Sequence, residues 1–115
     1  MVRELFRFVR GETPTLDDFR SQGARGKQMR FNRHDSDAVR RWNAGVSVYD
    51  DFEHASRLAA DAGFEWIATL TLRVPTSYEV SQYGRDPRHY TIFGDPEELM
   101  ALVSEVHHVS WPLGD

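Results

Sequence analysis

Arg7 lies in an early segment that alternates arginine with bulky apolar side chains, and Ser47 lies in a second short β-prone segment. Tyr49 follows two residues on, so strand periodicity puts it on the same face as Ser47. Glu79 comes after a long apolar segment and a turn, and His89-Tyr90 open the next strand-like stretch. This set suits chemistry on a nicotinamide dinucleotide, NAD. An arginine fork grips a pyrophosphate through two N–H groups, and a serine hydroxyl positions the ribose or the arginine. An aromatic ring stacks on the nicotinamide, and a carboxylate stabilises the oxocarbenium-like centre as the glycosidic bond breaks. Arg7, Ser47 and Glu79 are the catalytic candidates, with Tyr49, His89 and Tyr90 beside them for binding. Each also has a plain structural use: Arg7 as an exposed strand residue, Ser47 bonded to nearby backbone, Tyr49 in the core, Glu79 as a solvated loop acid.

Other chemistries are weighed by what is missing. The chain has no cysteine, which removes disulfides, thiolate zinc sites, iron–sulfur clusters and thiol catalysis. Chelation by paired histidines needs helical spacing of three or four. His107-His108 are adjacent and face opposite ways in a strand, while His34, His54 and His89 are scattered, so no metal site is expected. The sequence holds no GxSxG, Walker A or GxGxxG motif. The carboxylate pairs Asp17-Asp18, Asp50-Asp51 and Glu97-Glu98 all stand at expected helix starts, where capping explains them.

The 115 residues fit one domain, and 40% hydrophobic with 12% aromatic residues supplies one modest core. No stretch approaches the roughly 20 apolar residues of a membrane span, and the opening MVRELFRFVRG lacks the apolar region of a secretory signal. A soluble, cytoplasmic domain is the expectation. The net charge of −4 hides a division: residues 1–41 carry +4 and residues 42–115 carry −8. Of the 14 basic residues 13 are arginine, the side chain suited to bidentate phosphate or carboxylate recognition. The basic part could serve a phosphorylated ligand such as a dinucleotide or RNA, or simply dock on the acidic part. The net acidity argues against a strong duplex-DNA binder.

The elements that must position these residues read as an alternating α+β order. Residues 5–10 (LFRFVR) form a strand with one wet face. Thr13-Pro14 reads as a cap and first helical position, opening a short helix through Phe19. Residues 21–33 hold two glycines, four basic side chains and little periodicity, and read as a mobile loop. Asp35 caps a second helix carrying Val39 and Trp42 and ending near Gly45. Residues 45–49 (GVSVY) are a strand. Asp50 caps the clearest helix, with Phe52, Ala55, Ala59 and Ala62 on one face and Gly63 at its end. Residues 64–74 (FEWIATLTLRV) are the strongest strand signal, stopped by Pro75. Residues 76–88 are polar and turn-rich, and residues 89–93 (HYTIF) are another strand. Asp95-Pro96-Glu97-Glu98 combines an aspartate cap, a proline and a capping box before an apolar face of Leu99, Leu102, Val103 and Val106. Residues 106–111 close as a last strand, and 112–115 read as a frayed tail. The fold expectation is a single α+β domain with a mixed or split sheet flanked by three or four helices.

The succession Leu5-Phe6-Arg7, Asp17-Asp18-Phe19, Gly45-Val46-Ser47-Val48-Tyr49 running into Glu53-His54-Ala55, and Ile67-Ala68-Thr69-Leu70 resembles small bacterial proteins of the ADP-ribosyltransferase fold. The resemblance spans residues 5–93. It implies an NAD site built from Arg7 on the first strand (with Arg10 of Val9-Arg10-Gly11 as a rival), Ser47 on the second, Tyr49 as stacking aromatic and Glu79 as the late acid. The sequence departs from that pattern in reading Val46-Ser47-Val48 where the family has serine-threonine-serine, and in lacking a paired acidic motif around Glu79. Two further readings come from the residues themselves. A non-catalytic interaction module, immunity or antitoxin-like, would use the acidic 42–115 part and the three tryptophans against a protein partner. A metal-independent ribonuclease or RNA binder would use His89 or His54 as general base and the basic loop 25–33 for phosphate.

Overall fold

The computed structural model of the chain describes residues 1–109. Six strands form one sheet: β1 Val2–Val9, β2 Gly45–Tyr49, β3 Trp66–Arg73, β4 Glu79–Gln82, β5 His89–Phe93 and β6 Val103–His108. Their spatial order is β4-β5-β2-β1-β3-β6, and every neighbouring pair runs antiparallel. The expected mixed or split sheet is thus corrected to one continuous antiparallel sheet. The reason is the place of β1. It inserts between β2 and β3, which run parallel to one another, so no parallel neighbours arise. β1 and β3 pair along their whole length, from Val2 with Arg73 to Val9 with Trp66, whereas β1 and β2 share the single register pair Phe6 with Tyr49.

Among the described residues there are also three helices and one 3-10 turn: the turn Leu16–Phe19, α1 Ser36–Ala44, α2 Phe52–Asp61 and α3 Pro96–Ala101. Asp35 caps α1 by accepting from the backbone N–H groups of Asp37 and Ala38, as the sequence predicts. The cap of α2 is Asp51 rather than Asp50, since the Asp51 carboxylate receives the His54 N–H at 2.9 Å while Asp50 accepts from the Arg88 guanidinium. The first turn starts later than expected, because Asp18 reaches back to the Thr15 N–H at 2.9 Å and makes Thr15, not Thr13, the cap. The capping box of Asp95 with Glu98 forms as read.

The sheet is covered on both faces. Leu5, Val9, Val46, Val48, Leu70, Leu72 and Ile92 point to one face and meet Phe19 and Leu99 there. Phe6 and Ile67 point to the other and meet Ala55 and Ala59 of α2. Burial on two faces explains why residues 64–74 read as a near-continuous apolar run. α1 also lies on that second face, over the β4-β5 side: the Arg40 guanidinium stands 3.9 Å over the Phe93 ring, and Arg41 donates to the Ser81 hydroxyl at 2.8 Å.

Two segments differ from expectation. Val103 and Val106 belong to β6, not to the apolar face of α3, which ends at Ala101. Their spacing of three fits a helix turn, but the unpaired edge of β3 takes them up as a strand. β4 lies within the stretch read as turn-rich, where Val80 packs against the core and the strand pairs with β5. Trp111 and the tail 112–115 lie outside the described residues. Among the described residues no helix is long and apolar enough to cross a membrane.

Candidate functional site

A cleft opens where β1 and β2 part beyond their one shared pair. The Arg7 side chain occupies the parting. Its Nε donates to the Asp18 carbonyl at 2.6 Å and its Nη1 to the Ser47 carbonyl at 2.8 Å, so it joins the 3-10 turn to β2. It meets carbonyls rather than a carboxylate, because the Asp18 side chain is already committed to the N–H groups of Thr15 and Arg10. Burial disfavours the charged guanidinium, and the nearby cations Arg25 and Arg10 oppose it further. Asp18 and Tyr49 offset only part of this, and the Arg7 pKa falls to about 10.

The loop 21–33 closes the cleft and is strapped to α1. Ser21 Oγ donates to the Asn43 carbonyl at 2.7 Å, the Gly23 N–H to the Trp42 carbonyl at 2.8 Å, and Trp42 Nε1 to the Lys27 carbonyl at 2.9 Å. Gly23 is required by close approach, since a Cβ there would stand 2.2 Å from Asn43 Oδ1 and 2.9 Å from its Cα. The straps bring Arg25 over the cleft. Its Nη2 donates to Gln22 Oε1 at 3.0 Å, while its Nε is shut away from solvent with no hydrogen-bond partner among the described residues.

The cavity so formed measures about 780 Å³. Arg7, Arg20, Arg25, Lys27, Arg30 and Arg41 line it, no carboxylate among the described residues does, and Phe31, Trp42 and Tyr83 supply aromatic surface. A smaller cavity of about 210 Å³ meets it at Arg7, Gln22, Arg25 and Ser47 and adds Arg10, Asp18 and Phe64. Arg20 pairs with Asp17 at 3.4 Å and Arg41 with Asp37 at 2.9 Å, whereas the like charges of Arg7 and Arg25 oppose one another. Arg7 and Arg25 stand where the two cavities meet.

Ser47 and His89 are brought together. His89 Nε2 lies 3.0 Å from Ser47 Oγ, and its Nδ1 lies 2.7 Å from the Tyr83 carbonyl. A carbonyl only accepts, so the neutral ring carries its proton on Nδ1, and the Ser47 hydroxyl donates to the free Nε2. The Tyr49 ring packs against His89 at 5.3 Å between centroids and stacks on Phe8 at 5.4 Å. Burial raises the Tyr49 pKa, and the Asp86 charge adds to the effect.

The candidates drawn from sequence therefore separate. Arg7, Ser47 and His89 share the large cavity, and Arg10 lines the smaller one while pairing with Asp17 at 2.7 Å. Tyr49 lines neither and forms the wall behind His89. Tyr90 is corrected out of the site. It pairs with Val48, points to the opposite face of the sheet, and carries the Arg3 guanidinium 4.8 Å from its ring centre. Glu79 lines neither cavity: on edge strand β4 it accepts both terminal nitrogens of the Arg40 guanidinium, whose hydrogen bond holds its carboxyl below the usual range. His54 is taken up by Asp86 at 2.6 Å. Burial opposes the Asp86 charge, but hydrogen bonds from His54 and the Arg88 N–H hold its carboxyl below the usual range. Sequence reasoning missed Arg41, Trp42 and Tyr83 as parts of the cavity, and reached Arg25 only within the basic loop 25–33 of the RNA-binding reading. Among the described residues no group of three or more metal-ligating side chains is placed to hold an ion. No family model, curated protein or solved structure matches the chain.

Proposed function

We propose that the chain binds NAD in this cleft and is an ADP-ribosyltransferase-like protein, transferring ADP-ribose to an acceptor. The carrying observation is the pair of like-charged guanidiniums, Arg7 and Arg25, at the junction of two cavities whose larger member has no lining carboxylate among the described residues. A pyrophosphate between them relieves their repulsion and gives the buried Arg25 Nε an acceptor. The 780 Å³ space lies within the roughly 300–1,000 Å³ of ligand sites. Trp42 offers ring surface for a base or the nicotinamide, while Arg41 stands 4.5 Å over the Tyr83 ring. Support for the transfer step comes from the order of strand motifs, with Arg7 and Ser47 side by side; Glu79, engaged by Arg40, adds none. Titration with NAD, read by amide chemical shifts, tests the binding. Saturable shifts at Arg7, Ser47, Arg25 and Trp42 are expected, weakening as salt is raised. No shift at millimolar NAD overturns the proposal.

One observation favours a second reading, an RNA segment as ligand. Phe31 is 79% exposed on the loop that also carries Lys27 and Arg30, a combination suited to stacking an unpaired base beside its phosphate. Competition between NAD and a short oligoribonucleotide for the same shifts separates the two.

A further inference from the structure

We infer that Ser47 is a nucleophile activated by His89, acting on anionic phosphodiesters held by the arginines of the cleft. The geometry is that of a hydroxyl with its base and the group that orients the base. Ser47 Oγ stands 3.0 Å from Nε2, and the Tyr83 carbonyl fixes the tautomer through Nδ1 at 2.7 Å. The imidazole has little freedom to leave this pose. The Tyr83 N–H donates to the His89 carbonyl and the His89 N–H to the Asp86 carbonyl, closing the turn around it, and the Tyr49 and Tyr83 rings pack on it. Ser47 itself is exposed to the cleft. Its own carbonyl accepts from Arg7, so an anion gripped by Arg7 and Arg25 lies beside the hydroxyl.

A phosphodiester carries the negative charge this cleft calls for and an electrophilic phosphorus for the hydroxyl. In the first step Ser47 Oγ bonds to phosphorus, its proton passes to His89 Nε2, and the bond from phosphorus to the leaving oxygen breaks. An alcohol leaving group takes the proton back from Nε2. In the second step water attacks the phosphoserine diester, His89 accepts its proton and returns one to Ser47 Oγ. Diester and water become monoester and alcohol. Arg7 and Arg25 neutralise charge on the non-bridging oxygens in both steps. The inference does not require that the natural ligand be NAD.

The test uses the whole chain and bis(4-nitrophenyl) phosphate, an anionic diester with a coloured leaving group. A burst of 4-nitrophenolate is expected, with 4-nitrophenyl phosphate attached to Ser47 by peptide mass spectrometry. S47A loses both burst and adduct. H89G slows the burst by about 10²–10⁴, and free imidazole restores part of it, which a merely structural histidine would not allow. No burst and no adduct in the unaltered chain overturns the inference, and so does an undiminished burst in folded S47A. The NAD titration reads binding alone, so either idea can fail without the other.

Discussion

Arg7 Nη1 donates to the Ser47 carbonyl at 2.8 Å, so a side chain does between β1 and β2 what backbone amides do elsewhere in the sheet. The two strands share only the pair Phe6 with Tyr49, and the guanidinium spans the opening that follows. One residue therefore both holds the sheet together and faces the cleft. Arg7→Ala is expected to weaken NAD binding tenfold to a hundredfold, the equivalent of about 1.5–3 kcal/mol for a charged hydrogen bond. It is also expected to lower the melting temperature. Arg7→Lys restores charge but not the fork, so calorimetry should show it recovering only part of the affinity.

Burial is the chief cause of the lowered Arg7 pKa, and the Arg25 charge is the next. Arg25→Gln removes a neighbouring cation, and the Arg7 pKa should move up from about 10 toward its ordinary value. Because the folded pKa lies below the unfolded one, the charged form destabilises the fold below about pH 10, and this cost fades as pH rises between the two values. A bound anion should act in the same direction as the substitution. Guanidinium chemical shifts followed through an alkaline titration, with and without pyrophosphate, measure both effects. An Arg7 titration indifferent to both changes would contradict the assignment of the junction as an anion site.

In Glu79 the charged form is the one the fold favours, the reverse of Arg7, although stability rises with pH through both groups. The hydrogen bond from Arg40 lowers its pKa, so its contribution to stability is present above the usual carboxylate range and lost as pH falls through the folded value. Glu79→Gln should therefore melt slightly lower than the unaltered chain at neutral pH and equally in acid, the effect staying small because the pair is half exposed. The NAD affinity of this variant should be unchanged, since Glu79 lines neither cavity. A clear loss of affinity would return Glu79 to the site.

Gly23 is a point where the loop passes close against α1. In Gly23→Ala the new methyl would overlap Asn43, with its backbone Cα at 2.9 Å, and only part of that obstacle is a side chain that can turn away. Overpacking of this kind costs about 1–3 kcal/mol. The Gly23 to Trp42 bond and the placement of Arg25 should be disturbed together. Hydrogen exchange of the Gly23 amide and the NAD affinity should then change in step.

The central strands and the caps of α1 and α3 were legible because their signals are local. Residues 45–49 and 89–93 alternate and are bounded by turn residues, and Asp35 and Asp95 cap the helices read from them. Tyr90 could have been separated from His89 by the same reasoning, since neighbours in a strand face opposite ways. The capture of Val103 and Val106 by β3 was not legible, because it depends on an edge made by residues far away in the chain. The same holds for Glu79 and Arg40, which meet only once β4 has paired with β5 beneath α1. Arg25 sits in a loop without periodicity, and only the straps to α1 reveal where it points.

β1 is the first strand of the chain and yet lies inside the sheet, flanked by strands that come later. Phe6 must wait for Tyr49, and Leu5 for Leu70, before either finds its partner. During synthesis the segment LFRFV thus emerges with both edges bare, and nothing in its own neighbourhood can satisfy them. Its arginines, at every third or fourth position through Arg10, act as charged gatekeepers during that interval. Arg7, which lines the cleft of the finished protein, thus also places charge on the strand while its edges are unpaired.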